Sequence, residues 1–126
     1  MFVPFYFQLK DLLMVKEIVI MNIDVELARA KKALEDSNVG MARVCARRAC
    51  GNAISFWLQN NPRHSYGDSA INQLRSIQSD DTIPNEVQDA AERLTAKVAN
   101  PSDSNFTNDL FADAKIITDY FLNVKS

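Results

Sequence analysis

The sequence predicts an all-α protein: an up-down bundle of four to five helices with an extra apolar segment at its N-terminus. Its 126 residues fit one domain that buries a core of its own. Only 3 Gly and 4 Pro are present, and a β-sandwich or barrel of this length needs more turn residues. From residue 22 onward, apolar residues recur at helical spacing between short breaks, which is typical of antiparallel helices joined by short loops.

The apolar segment comprises residues 1–21, and residues 22–126 form the bundle domain. Within residues 1–21, charged residues at positions 10, 11, 16 and 17 interrupt the apolar run, and no positive charge precedes that run. It therefore fits neither a transmembrane helix of about 20 apolar residues nor a signal peptide, and we expect a cytoplasmic protein without membrane contact. We interpret the segment as an element packed on the domain, as an arm that binds a partner, or as sequence upstream of a true start at Met14 or Met21.

Five helices are expected in the bundle domain. Asn22 or Asp24 can cap the first helix, which runs to about Ser37, and Thr107 or Asn108 can cap the last. Between them we predict a second helix over 41–60, a third that starts at 67–69 and ends before 79–82, and a fourth with Pro84 in its first turn. The apolar faces of the last two helices are formed by Val87, Ala91, Leu94 and Val98, and by Leu110, Ala114, Ile117 and Phe121.

The second helix carries an apolar arc of about 140°, most of whose members are small. Because the remaining circumference is half apolar, we expect this helix to lie in the centre of the bundle. Two members of the arc, Cys45 and Cys50, point away from each other and cannot form a disulfide within the helix. We interpret both as buried packing residues in a reducing compartment. The arc consists of Ala42, Cys45, Ala46, Ala49, Cys50, Ala53, Phe56 and Trp57.

Arg43, Arg47 and Arg48 lie close together on the second helix. Residues 29–75 hold eight basic and three acidic residues (net +5), whereas residues 76–126 hold four basic and nine acidic residues (net −5). The first interpretation is therefore that the three arginines are surface residues or pair with acids of the last two helices. The alternative is an anion- or nucleotide-binding pocket, since guanidinium groups bind phosphate bidentately.

A second candidate site lies in the loop after this helix, where Arg63, His64 and Tyr66 follow one another closely. His64 is the only histidine, and we expect it to be exposed in this polar loop. Asp80 and Asp81 are interpreted as a turn pair. The sequence shows no nucleophile–base motif, no phosphate-binding glycine loop and no metal-ligand spacing, so we predict no catalytic residues, no metal and no cofactor.

The run ALEDSNVGMARVCARRACGNAI (33–54) and the closing DAKIITDYFL (113–122) resemble HEPN domains. The resemblance covers roughly residues 24–124. It implies a small helical bundle, often dimeric, from prokaryotic toxin–antitoxin and defence systems. Active HEPN domains are ribonucleases in which four to six residues separate an Arg from a following His. For His64 that arginine would stand at 57, 58 or 59, which hold Trp57, Leu58 and Gln59, so the resemblance implies a non-catalytic member.

We therefore expect a non-enzymatic, HEPN-like module that forms a homodimer and binds a protein partner. The expected interface consists of the apolar N-terminal segment and one flank of the second helix. Two alternatives remain from other functional classes. One is a ribonuclease with a degenerate site, in which His64 meets an arginine across a dimer. The other is a nucleotide- or RNA-binding module that uses Arg43, Arg47 and Arg48.

Overall fold

A computed structural model describes the backbone of residues 5–96 and 109–123, with side chains from residue 13 onward within those ranges. The described chain is all α-helical, which confirms the predicted fold class of a helical bundle. It contains five helices: α1 (Phe5–Glu35), α2 (Val39–Asn60), α3 (Ala70–Gln78), α4 (Asn85–Thr95) and α5 (Leu110–Asn123).

Helix α1 is one continuous helix of 31 residues, so the predicted helix start at Asn22 or Asp24 is wrong. The division at residue 21 falls within α1 and coincides with no break. Neither Gly nor Pro occurs between Phe5 and Glu35, and a polar side chain alone does not end a helix whose backbone bonds can continue. The helix ends where Ser37 adopts a left-handed conformation (φ 60°) and Asn38 N–H donates to Ala33 O.

Helix α2 lies at the centre of the bundle, as predicted, and it packs against each of the other four helices. All eight members of its apolar arc are buried. The small side chains allow close approach: a Cβ atom built on Gly51 would lie 2.9 Å from Ala70 Cβ, at the start of α3. Glycine is therefore required where α2 and α3 cross. Cys45 and Cys50 are buried free thiols, as predicted.

The remaining helices begin at local caps. Ser69 Oγ accepts from Asn72 N–H at the start of α3, which agrees with the predicted start, and Pro84 stands immediately before α4 rather than in its first turn. Helix α5 is capped by Asp109, whose Oδ1 accepts from the N–H groups of Phe111 and Ala112. The predicted caps Thr107 and Asn108, and also Val98, lie outside the described residues. The other predicted apolar positions of α4 and α5 are all buried.

Candidate functional site

Two of the three α2 arginines lie at the C-terminal end of α4, where backbone carbonyl groups have no partner within the helix. The Nη2 atom of Arg43 donates to the carbonyl oxygens of Arg93, Leu94 and Ala96 at 2.8–3.1 Å. Arg47 Nε donates to Leu94 O at 2.6 Å. Two guanidinium groups on α2 thus cap α4, where positive charge also complements the helix dipole.

The side chain of Arg43 is buried, whereas Arg47 is half-buried. Burial lowers the pKa of both guanidinium groups, and the proximity of Arg47 lowers that of Arg43 further. Asp113 of α5 opposes this shift for Arg43. Its carboxylate is 4% exposed and accepts from Arg93 Nε and Nη2, at 2.9 and 2.8 Å to Oδ1. That ion pair ties the end of α4 to α5 and raises the pKa of Arg93.

The three arginines do not form one pocket. Arg48 is exposed on another side of α2, where it borders a shallow pocket with Glu26 and Gln73. Within the described residues, no carboxylate forms an ion pair with Arg43, Arg47 or Arg48, so the expected ion pairs with acids of the last two helices are not formed. The sequence did not indicate that the partners of Arg43 and Arg47 are backbone carbonyl groups. Every residue has such a group, so no residue type at the end of α4 marks it as the partner of an arginine.

The second candidate site is a cluster of His64, Tyr66 and Asp80 at the end of the bundle that holds the α2–α3 and α3–α4 loops. Tyr66 Oη donates to Asp80 Oδ2, and His64 Nδ1 lies 3.3 Å from the same oxygen. His64 is half-buried rather than exposed as expected, because its ring packs 4.7 Å from that of Trp57. Arg63, the other residue predicted for this site, is solvent-exposed, whereas Tyr66 is buried.

Asp80 is the residue of this cluster that the sequence did not identify, since it was interpreted as half of a turn pair. Its Oδ1 accepts from Thr82 N–H and Thr82 Oγ1, at 2.9 and 2.6 Å. Burial raises the pKa of this carboxyl group, but hydrogen bonds from Thr82 and Tyr66, together with His64, lower it to about 2. Burial and then the Asp80 carboxylate raise the pKa of Tyr66. The arrangement orients one imidazole nitrogen and leaves the phenol protonated.

Trp57, a member of the apolar arc of α2, is a core residue. It is 7% exposed and contacts the rings of Tyr66 and Phe121. Within the part of the chain that the structure describes, its indole Nε1 has no hydrogen-bond partner. Nearby in α2, burial raises the pKa of the Cys50 thiol, which keeps it protonated and agrees with a packing role. Beside the loop cluster lies an open depression of about 600 Å³, lined in part by Tyr66, Arg75 and Asp80.

A third feature is the outer face of α1, which we define as Met14, Ile18, Met21 and Val25. These four side chains are 52%, 53%, 65% and 49% exposed. The opposite face, which includes Val19, Ile23 and Ala30, packs against the core. Helix α1 is therefore apolar on two sides, and only one of them has a partner among the described residues. The aromatic residues Phe2, Phe5, Tyr6 and Phe7 lie outside the residues whose side chains are described.

Two further features are not found among the described residues. Across 5–96 and 109–123, no helix combines the length and apolar character needed to cross a bilayer. Over the same part of the chain, no three His, Cys, Asp or Glu side chains are grouped so that they could hold a metal ion.

Comparison with known proteins gives no family for this chain. No family model, no curated protein and no solved structure matches it. The HEPN resemblance therefore stays a prediction, and the function has to be argued from the geometry of the three features described above.

Proposed function

We propose that this protein is a non-catalytic, HEPN-like association module whose binding surface is the outer face of α1. The main support for this proposal is that Met14, Ile18, Met21 and Val25 are exposed in one line along a helix. Three further large apolar residues of α1, Leu13, Val15 and Ile20, are exposed on other sides of the helix. Exposed apolar surface of this extent on a small domain is typical of an interface, because leaving it in water costs free energy that association recovers.

The size of the surface supports this proposal. The four side chains of the outer face, each 49–65% exposed, contribute roughly 400 Å². A standard interface buries about 800 Å² on each partner. The neighbouring helix α2 offers much less, since Met41 is its only exposed large apolar residue. We therefore assign the interface to α1 alone rather than to α1 and one flank of α2.

The contacts of the candidate residues favour this proposal over the two alternatives. Arg43 and Arg47 already donate to backbone carbonyl groups, so an incoming phosphate would compete with the cap of α4. His64 bonds to Tyr66 and Asp80, and no arginine is among its contacts in the described residues. An arginine from a second chain would have to complete a nuclease site.

The proposal is tested by a matched pair of substitutions that introduce a charge on exposed methionines. Met21→Glu places a carboxylate in the centre of the outer face, whereas Met41→Glu places it on the first turn of α2. We expect light scattering at micromolar concentration to give a mass above 14.2 kDa for the parent chain and Met41→Glu, and 14.2 kDa for Met21→Glu. A parent chain that is already monomeric at 14.2 kDa would refute self-association.

A further inference from the structure

The outer face of α1 has the spacing of a coiled-coil seam. Its four residues follow one another at intervals of four, three and four, and the exposed Ala28 continues the pattern. Heptad positions a are then Ile18 and Val25, and positions d are Met14 and Met21. β-Branched residues at position a are typical of parallel two-stranded coiled coils. Because the core-facing residues of α1 occupy the opposite side, two bundles could stand apart while their α1 helices meet.

The charges that flank the seam discriminate between the two possible directions. Glu17 and Asp24 occupy g positions, and Asn22 and Arg29 occupy e positions. In a parallel pair, each g position faces the next e position of the other helix, which places Asp24 opposite Arg29 of the second copy. In the antiparallel pair that aligns all four apolar residues, g positions face g positions of the other helix. Glu17 then faces Asp24 of the second copy. Like charges at that distance repel.

We propose that the partner of the outer face is a second copy of this chain, bound in parallel and in register through α1. This inference rests on the proposed function and adds to it the identity and direction of the partner. Asp24 and Arg29 are both exposed, and Glu26 of the same helix, at 3.3 Å, is the only ion-pair partner of Arg29 among the described residues. Both side chains are thus available to bridge the two copies across each side of the seam.

Cross-linking through Val25→Cys tests the direction. In the parallel pair, residue 25 faces its own equivalent, and mild oxidation should link most of the protein as a disulfide dimer. In the antiparallel pair the two copies of residue 25 lie about 16 Å apart along the axis, which is too far for a disulfide. Leu34→Cys, exposed on α1 but off the seam, is the control and should stay unlinked. The native thiols are buried.

Charge reversal gives an independent readout. In the parallel pair, Asp24→Lys faces Arg29 and should weaken association by roughly 3- to 10-fold, and mixing it with Arg29→Glu should restore it. In the antiparallel pair Asp24→Lys faces Glu17 and should strengthen association. Asp89→Lys on α4 is the control for the change in net charge. A dimer that Val25→Cys does not link, or that Asp24→Lys leaves unchanged or strengthens, overturns the parallel arrangement but leaves self-association intact.

Discussion

Asp80 shows how one carboxylate organises a loop cluster. It accepts hydrogen bonds from Thr82 and Tyr66 and lies beside His64, so it joins the loop after α2 to the loop after α3. Its side chain is 16% exposed, and its pKa of about 2 means that folding favours the ionised form. The stabilisation is fully present above the ordinary carboxyl pKa of about 4 and is lost as the pH falls through about 2.

We predict that Asp80→Asn lowers the free energy of unfolding by about 1–2 kcal/mol at pH 6, because the uncharged amide forms weaker hydrogen bonds. The difference from the parent chain should shrink between pH 5 and pH 2, as the parent carboxylate is protonated. Urea unfolding at several pH values measures this. Asp81→Asn, at the exposed neighbour, is the control and should show no such difference. A gap that stays constant with pH would contradict the assigned ionisation.

The sequence predicted which helical side chains are buried but not the polar contacts between elements. The apolar arc of α2 and the faces of α4 and α5 were predictable, since burial follows helical periodicity. The pairing of Asp80 with His64 was not, because sixteen residues and a helix separate them and no spacing rule connects two loops. The role of Arg43 was hidden for a related reason: its partners are carbonyl groups, which every residue possesses.

The junction between α2 and α4 depends on two long side chains rather than on apolar packing alone. Arg43 reaches three carbonyl oxygens at the end of α4, and Arg47 shares one of them. The carbonyl groups at the end of a helix have no N–H donor within that helix, so they need partners from elsewhere. Helix α4 is 11 residues long, short enough for its end contacts to matter to its stability.

We predict that Arg43→Met lowers the free energy of unfolding by about 2–3 kcal/mol, because the partly buried carbonyl groups of Arg93 and Ala96 lose their donor and Leu94 O keeps only Arg47. Arg48→Met is the matched control on the same helix. Since Arg48 is exposed, that change should stay within about 0.5 kcal/mol. Chemical denaturation of both variants measures the two values. Equal effects would show that the carbonyl contacts of Arg43 contribute little.

The length of α1 was the main error of sequence reasoning about the helices. Polar residues near position 22 suggested a cap, yet the helix continues through them because no residue between 5 and 35 opposes helix formation. The apolar residues before position 22 therefore belong to a continuous helix rather than to a separate arm, and the two faces of that helix explain them. One face of this helix completes the core, and the other is the proposed site of association.

The five helices bury one core, to which α1 contributes its inner face while its outer face is exposed. Helix α2 is buried by its four neighbours, and the ends of α4 and of the connecting loops are held by polar contacts. The outer face of α1 is the large apolar surface that these contacts do not use. The bundle thus supports α1 from one side and presents it on the other.

The most direct test is the molar mass of the parent chain, measured by sedimentation equilibrium over a dilution series from high to low micromolar concentration. If α1 pairs with a second copy, the mass should approach twice 14.2 kDa at the high end and fall towards 14.2 kDa on dilution. A mass of 14.2 kDa at every concentration would contradict the account, because the outer face of α1 would then remain exposed in solution.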